Sequence, residues 1–517
     1  MAACLISAHG FCADGGPSII DVPSLQLSLR YGVFDNAAVV VSGQPVQVRC
    51  GGKGMTLQPG TWRFVLAKAS PAKSRWHVFP KTFPVDQSAE VSAYVKEWKQ
   101  KGYQPEVLTF GRSFALPGGG NLDNRMRWVS LARLDTEAQA DALKKKLSRE
   151  EVWAWSRVEM TAEGAGEILI SSASGGKAWR GTAPLTLAFE GAVTLDGNGG
   201  GADKKALAGK TFAGPLTLRV GLGGKLEVLG RLPLETYLRG VLPAEMPAKW
   251  PLEALKAQAV AARSEILAAL GGKNHLEGFD FTITELDRAY GGIGCHEPGP
   301  DQAVRDTAGL VLKTGDLKIA TTVFSACCGG WSENNEVVWA GPANANLRSR
   351  PDFSQSAAPK IIPQSAADLK KFLSSAPPAF CDSHKDFRWR KKFTSSELSI
   401  LVNKCYTVGE VKSVTETERG PGGRLKVVTI QGAKGTVRVE RELAIRQTFG
   451  GLPSALFVII PENVNNKTKS YTFIGGGRGH GVGLCQQGAR SMAEKGLGFR
   501  DILKQYFSGV DIERVTP

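Results

Sequence analysis

The spacing of apolar residues changes period several times along the chain. Between residues 75 and 155, RWHVF and RMRWVSLARL read as strands. AEVSAYVKEWKQKGY and EAQADALKKKLSREEV instead repeat apolar positions every three or four residues, as one helical face requires. Strand, helix, strand, helix predicts a small α/β module. From about 161 to 232 the runs shorten and are broken by glycine: EILISS, PLTLAFEGAVTL and PLTLRVGLGGKLEVLG predict antiparallel strands, with GNGGGADKK as a surface loop. Residues 21–74 are assigned to a β-rich N-terminal segment of their own. Residues 387–449 hold a further β-rich section, in which GPGG at 420–423 turns one alternating run into the next. SQSAAPKIIPQSAAD and LSSAPPAF, rich in Ser, Ala and Pro, read as loops on its approach.

The clearest helical pattern lies in LPLETYLRGVLPAEMPAKWPLEALKAQAVAARSEILAAL, residues 232–270. Leu234, Leu238, Val241 and Leu242 share one face of a helix that starts near Pro233 and is predicted to end before Pro243. A second helix begins at Pro251, carries Leu252, Leu255, Ala259, Ala262, Ile266 and Leu270 on one stripe, and stops at Gly271. Glu245 falls in the turn between them. Prolines at 243 and 247 stiffen that turn and hold the carboxylate outside both stripes. A lone Glu in a turn is ordinarily a solvated surface residue, and the pattern alone does not separate that from a catalytic perch.

At 517 residues the chain exceeds one ordinary core, and roughly 100 to 200 residues per domain predicts several. Helices and antiparallel strands in separate runs make the fold class α+β, multi-domain. A net charge of +15 favours an anionic partner, which includes nucleic acid, acidic lipid and cell wall. The basic residues are scattered, and no helix-turn-helix, zinc-finger or RNP signature occurs, which argues against nucleic acid. No apolar run reaches the roughly 18 residues a membrane-spanning helix needs. Residues 1–20 end in small residues like a cleavage region but lack a basic start and a full apolar stretch. They read as a truncated signal segment or as an ordinary disordered start. Nine cysteines without repeated spacing argue against a small disulfide-stapled scaffold.

The 232–270 block, with its A-E-M-P turn and ALKAQAVAAR helix, closely resembles the core of the stage II sporulation protein D and amidase-enhancer family. A second block, GGGRGHGVGLCQQGARSMAEKGLGFRDILKQYFSGV at 475–510, resembles the same family. Its glycines match neither the P-loop nor the dinucleotide fingerprint. DRAYGG, DQAVRDTAGLVL, CCGGWSENNEVVWAG and FCDSHKDFRWR follow in the family's order, so the likeness spans roughly residues 160–517. The resemblance implies a peptidoglycan lytic transglycosylase with Glu245 as catalytic acid/base, and His480 and Gln486 beside it at the substrate. Tyr290, Glu333 and Trp339 become candidates for a glycan groove, with structural packing as the equal alternative. The 75–155 module resembles the sporulation-related repeat, a βαββαβ-type fold that binds glycan stripped of stem peptides.

Further implications attach to the same resemblance. Cys328 with the C-x-x-H pair Cys381 and His384 matches positions that suggest a structural zinc, while a Cys328 to Cys381 disulfide and free buried thiols remain open. No cofactor is needed for the chemistry. Two-carboxylate glycosidases require a second Asp or Glu, and none stands next to Glu245. A transglycosylase avoids the need because the sugar's own C6 hydroxyl attacks intramolecularly. The expected location is the cell envelope, periplasmic or extracellular. The expected partners are peptidoglycan glycan strands and, in the amidase-enhancer branch, a cell-wall amidase that a non-catalytic relative would recruit.

Overall fold

The computed structural model describes residues 25–515 apart from 36, 177, 198–206, 285–286, 288, 340, 355–364 and 466. The expected signal segment at 1–20 lies outside the described residues, as does most of the loop at 197–205.

Two large sheets share one core. In one, the strand Gln26–Phe34 pairs antiparallel with Leu226–Pro233, which continues through Leu216–Val220 and Leu185–Phe189 to Val46–Cys50 and Lys53–Leu57. In the other, Gly60–Ser70 lies between Ala165–Ser172 and Ala37–Ser42, and Val193–Gly197 pairs with the latter. Inward side chains of both, among them Leu27, Leu29, Phe64, Ile168, Leu187, Leu216 and Val228, are fully buried together. The N-terminal strands are therefore not a unit of their own. Each presents only one apolar face, and that face is closed by strands more than a hundred residues away. Alternation within a strand fixes which face is buried but not which strand becomes the partner.

Residues 73–162 interrupt this double sheet as a module. Lys73–Phe79 and Lys81–Pro84 form one bent central strand, flanked by Trp155–Ala162 on one side and by Met126–Ser130, then Glu106–Phe110, on the other. The helices Ser88–Gln100 and Glu137–Arg149 cover one face through Val78, Trp98, Leu131, Ala140 and Leu147, with Phe83, Val91 and Val129 alongside. Chain order is βαββαβ, with a small hairpin, Ser113–Ala115 and Asn121–Asp123, before the third strand. Thr136 caps the second helix in a full capping box with Gln139.

After the double sheet come two helices, Leu234–Glu245 and Leu252–Ala269, joined by a short turn. The longer is buried on most sides, which is why its sequence is Ala-rich rather than strongly amphipathic. The strand Leu310–Thr314 pairs with Val510–Arg514, bringing the end of the described chain back to this centre. A second core, built on Leu398, Leu425, Ile430, Phe449, Phe457 and Phe473, holds the section that begins near 389. There Trp389–Thr394 joins the sheet of Phe457–Val464 and Lys467–Gly475, and the hairpin turning at GPGG packs beside it.

Candidate active site

The first helix does not end before Pro243. It runs to Glu245, with Pro243 inside its last turn, and the Met246 N–H donates to the Leu242 C=O at 2.9 Å. A proline is tolerated there because only one hydrogen bond is forfeited, in the last turn of the helix. Glu245 is thus the last helical residue rather than a turn residue. It is partly buried, and the next residue, Met246, is extended and fully buried.

Several contacts fix that helix end. The Gln486 side-chain amide donates to the Glu245 C=O at 3.1 Å and to Gln258 Oε1 at 3.4 Å, tying the helix end to the longer helix. Deeper in the pair, the fully buried Arg263 makes a two-pronged contact with Glu235, at 2.8 and 2.6 Å, and also donates to the Leu310 C=O at 3.2 Å. Arg239 on the outer side pairs with Asp301. Sequence reasoning missed Arg263. The signal was available, since a lone arginine on the apolar stripe of an Ala-rich helix must find a buried partner.

The glycine loop approaches from the C-terminal side. Gly477, Gly479, Gly481 and Gly483 all have positive φ, between +69° and +90°, so every second residue sits where a side chain is strained. A Cβ at Gly481 would collide with the Arg424 guanidinium. The loop carries His480, whose Nδ1 lies 3.0 Å from the Val482 N–H and whose Nε2 lies 2.9 Å from the Phe324 C=O. These contacts assign a neutral ring, Nδ1 accepting and Nε2 donating. His480 is held as a structural post, and its ring lies 4.9 Å from that of Trp339, which is 40% exposed. Strand Phe324–Ser325 pairs with Leu484–Cys485, and Gln486 opens the next helix, so loop and helix end share one frame.

Two of the groove candidates are not at the surface. Tyr290 is fully buried, 5.0 Å from the Tyr237 ring, and a Cβ on Gly240 would strike it. It supports the Glu245 helix from behind. Glu333 is fully buried as well, and its carboxylate accepts from the backbone N–H groups of Asn334, Gly422 and Arg424 at 2.9, 3.0 and 3.1 Å. Burial pushes its carboxyl up, opposed by the Arg424 charge and those N–H groups. Its work is to pin the GPGG turn, so of the three only Trp339 presents an aromatic face to solvent.

The cysteines converge differently from the expected set. Cys328, Cys381, Asp352 and Cys485 are all buried, with their ligand atoms within 4.8 Å of one another. His384 is elsewhere, its Nδ1 accepting from the Asp386 N–H at 3.0 Å. It fails as the third member because Cys381 points into the core while the turn after it carries the imidazole outward to a half-buried position. Cys485 stands in the second family-like block and Asp352 just before the 355–364 stretch, separations at which sequence spacing is silent.

One further surface belongs to the module. Its sheet face away from the helices carries Phe79, Phe110, Trp128 and Trp155 in mutual ring contact, with Trp153 67% exposed at the rim. Phe110, Met126 and Trp128 then line a cleft of about 400 Å³ against Leu270, Lys273 and Asp280 of the helical region.

Comparison with known proteins agrees with this frame. The family described as "Stage II sporulation protein" matches residues 223–313, and a domain of unknown function matches 333–483. An uncharacterised protein of Brachyspira hyodysenteriae is 30% identical over 286 residues, 55% of this chain and 68% of that one. The stage II sporulation protein D of Bacillus amyloliquefaciens is 29% identical across 54% of this chain and 74% of its own length. The amidase enhancer of Bacillus subtilis is also 29% identical, over 53% of this chain but only 40% of its own length. The chain belongs to the stage II sporulation protein D family.

Proposed function

We propose that this protein acts on the cell wall, cutting peptidoglycan glycan strands as a lytic transglycosylase with Glu245 as sole acid/base. The observation that carries this is a part-buried glutamate at a proline-containing helix end, gripped through its backbone by Gln486, with the glycine loop that leads into Gln486 carrying His480 and setting its ring against that of Trp339. In the proposed step the Glu245 carboxyl gives its proton to the glycosidic oxygen as the C1–O bond breaks. The C6 hydroxyl of the same sugar attacks C1, and its proton passes to the Glu245 carboxylate. The 1,6-anhydro ring closes and the acid is restored, so neither a second carboxylate nor an ordered water takes part. Trp339 offers a stacking face for a sugar, while the neutral His480 keeps the loop in register.

The exposed Trp153, backed by the half-buried Trp155 and Trp128, supports a tether for glycan stripped of stem peptides. The proposed location is the cell envelope, and among the described residues no helix is long and apolar enough to cross a membrane. A second reading, recruitment of a cell-wall amidase without cleavage, is favoured by the likeness to the amidase enhancer. Incubation of the full chain with stem-peptide-free peptidoglycan separates the two. Products carrying 1,6-anhydro ends by mass spectrometry are expected, whereas intact strands, together with faster release of stem peptides from peptide-bearing sacculi by an added amidase, would favour the second reading.

A further inference from the structure

We propose that Cys328, Asp352, Cys381 and Cys485 form a structural zinc site that locks the glycine loop and Gln486 onto the Glu245 helix end. The four come from distant parts of the chain yet converge in the core. Three thiols and a carboxylate are a donor set that suits tetrahedral Zn²⁺. Zn–S bonds of about 2.3 Å place two ligating sulfurs roughly 3.8 Å apart on a tetrahedral edge. Cys328 Sγ and Cys381 Sγ are 3.6 Å apart. A disulfide, with sulfurs about 2.05 Å apart, would join two of the four and leave Cys485 and Asp352 facing that pair with nothing to bind.

The surroundings supply the hydrogen bonds that metal ligands ordinarily receive. The Cys328 N–H points at Cys485 Sγ from 3.2 Å, the Cys381 N–H at Asp352 Oδ2 from 3.0 Å, and the Tyr506 hydroxyl at Asp352 Oδ1 from 2.6 Å. Each donor favours the ionised ligand. The donors to Asp352, a backbone N–H and a hydroxyl, are both neutral, and a cation at the centre of the four would supply the opposite charge that its ionised form needs. Cys327 turns its thiol to the Cys381 C=O at 3.8 Å and is not among the four.

The site's position gives it a role. Cys327, next to the first ligand, exchanges backbone hydrogen bonds with Arg478 in the glycine loop, at 3.1 and 2.8 Å. Cys485, the last ligand, directly precedes Gln486, whose amide holds the Glu245 C=O. A metal bound here therefore grips the loop on both sides of His480, and its energy is spent on the geometry of the site rather than on chemistry.

The test is metal analysis of the full chain purified without chelator. One zinc per chain is expected, retained in Cys405→Ser, whose exposed thiol lies outside the cluster, and lost in Cys485→Ser and in Asp352→Asn. Should those two variants not fold, cobalt exchange of the wild-type protein stands in for them, with thiolate-to-cobalt absorption and tetrahedral visible bands as the expected signature. Chelator treatment should lower the melting temperature and speed amide exchange across residues 477–487. None of these readouts depends on glycan cleavage, so the site can stand or fall apart from the proposed activity. Protein free of zinc with a mapped Cys328 to Cys381 disulfide, iron in place of zinc, or zinc retained in both ligand variants would overturn the proposal.

Discussion

The helix pair 234–269 and the module 73–162 are both packed elements, but they are held to the rest of the molecule by different means. The helix pair is built into the largest core, with a buried arginine, a buried tyrosine and a glutamine amide each fixing one stretch of it. The module has two small cores of its own and docks through its hairpin, whose Phe114 and Leu122 join the largest core, and through a few hydrogen bonds at its edge. Gly111 N–H donates to the Gly271 C=O at 2.9 Å, Asp123 N–H to the Leu317 C=O at 2.9 Å, and the Asn124 side chain exchanges two 2.8 Å hydrogen bonds with the Ile319 backbone. On the proposed function, the group to be positioned for chemistry sits in the more deeply anchored element and the tethering surface in the element with fewer anchors.

Three substitutions probe that contrast, in falling order of effect. Arg263→Ala removes the buried guanidinium and strands Glu235, and should cost about 3 to 5 kcal/mol in chemical denaturation. A loss below about 1 kcal/mol would mean that the helix pair does not depend on this anchor. Gly240→Ala forces a methyl group into the Tyr290 ring and should cost about 1 to 3 kcal/mol. It should also lower any glycan-cleaving rate more than it lowers binding, because the displaced helix carries Glu245. Asn124→Ala should be mildest, about 1 kcal/mol, since it deletes two hydrogen bonds at the docking edge. Hydrogen exchange should rise in residues 111–124 while the main melting transition stays put. Faster exchange in 234–270 as well would show that the two regions are not independent.

Local pattern carried some of this and not the rest. The helices 88–100, 137–149 and 252–269 were readable because their apolar period, caps and stops lie within a few residues of each other. Glu245 was readable as a candidate through its flanking prolines and the family likeness, though Pro243 made the helix look three residues too short. Pairing of Gln26–Phe34 with Leu226–Pro233 was not readable, because register across two hundred residues leaves no local trace. The burial of Tyr290 and Glu333 was equally hidden. An aromatic or acidic residue in a loop looks the same whether it faces a sugar or a turn of the chain's own backbone. Cys485 was visible beside Gln486 all along, but only the fold shows that it faces Cys328 and Cys381 rather than solvent.

The central claim rests on Glu245, and Glu245→Gln tests it most directly because the amide keeps the shape and the backbone contact with Gln486 while removing the acidic proton. Glycan-strand cleavage by the purified variant should fall by about 10² to 10⁴ relative to wild type, with melting temperature and affinity for stripped sacculi unchanged. Cleavage at the wild-type rate by a folded Glu245→Gln protein would contradict the account.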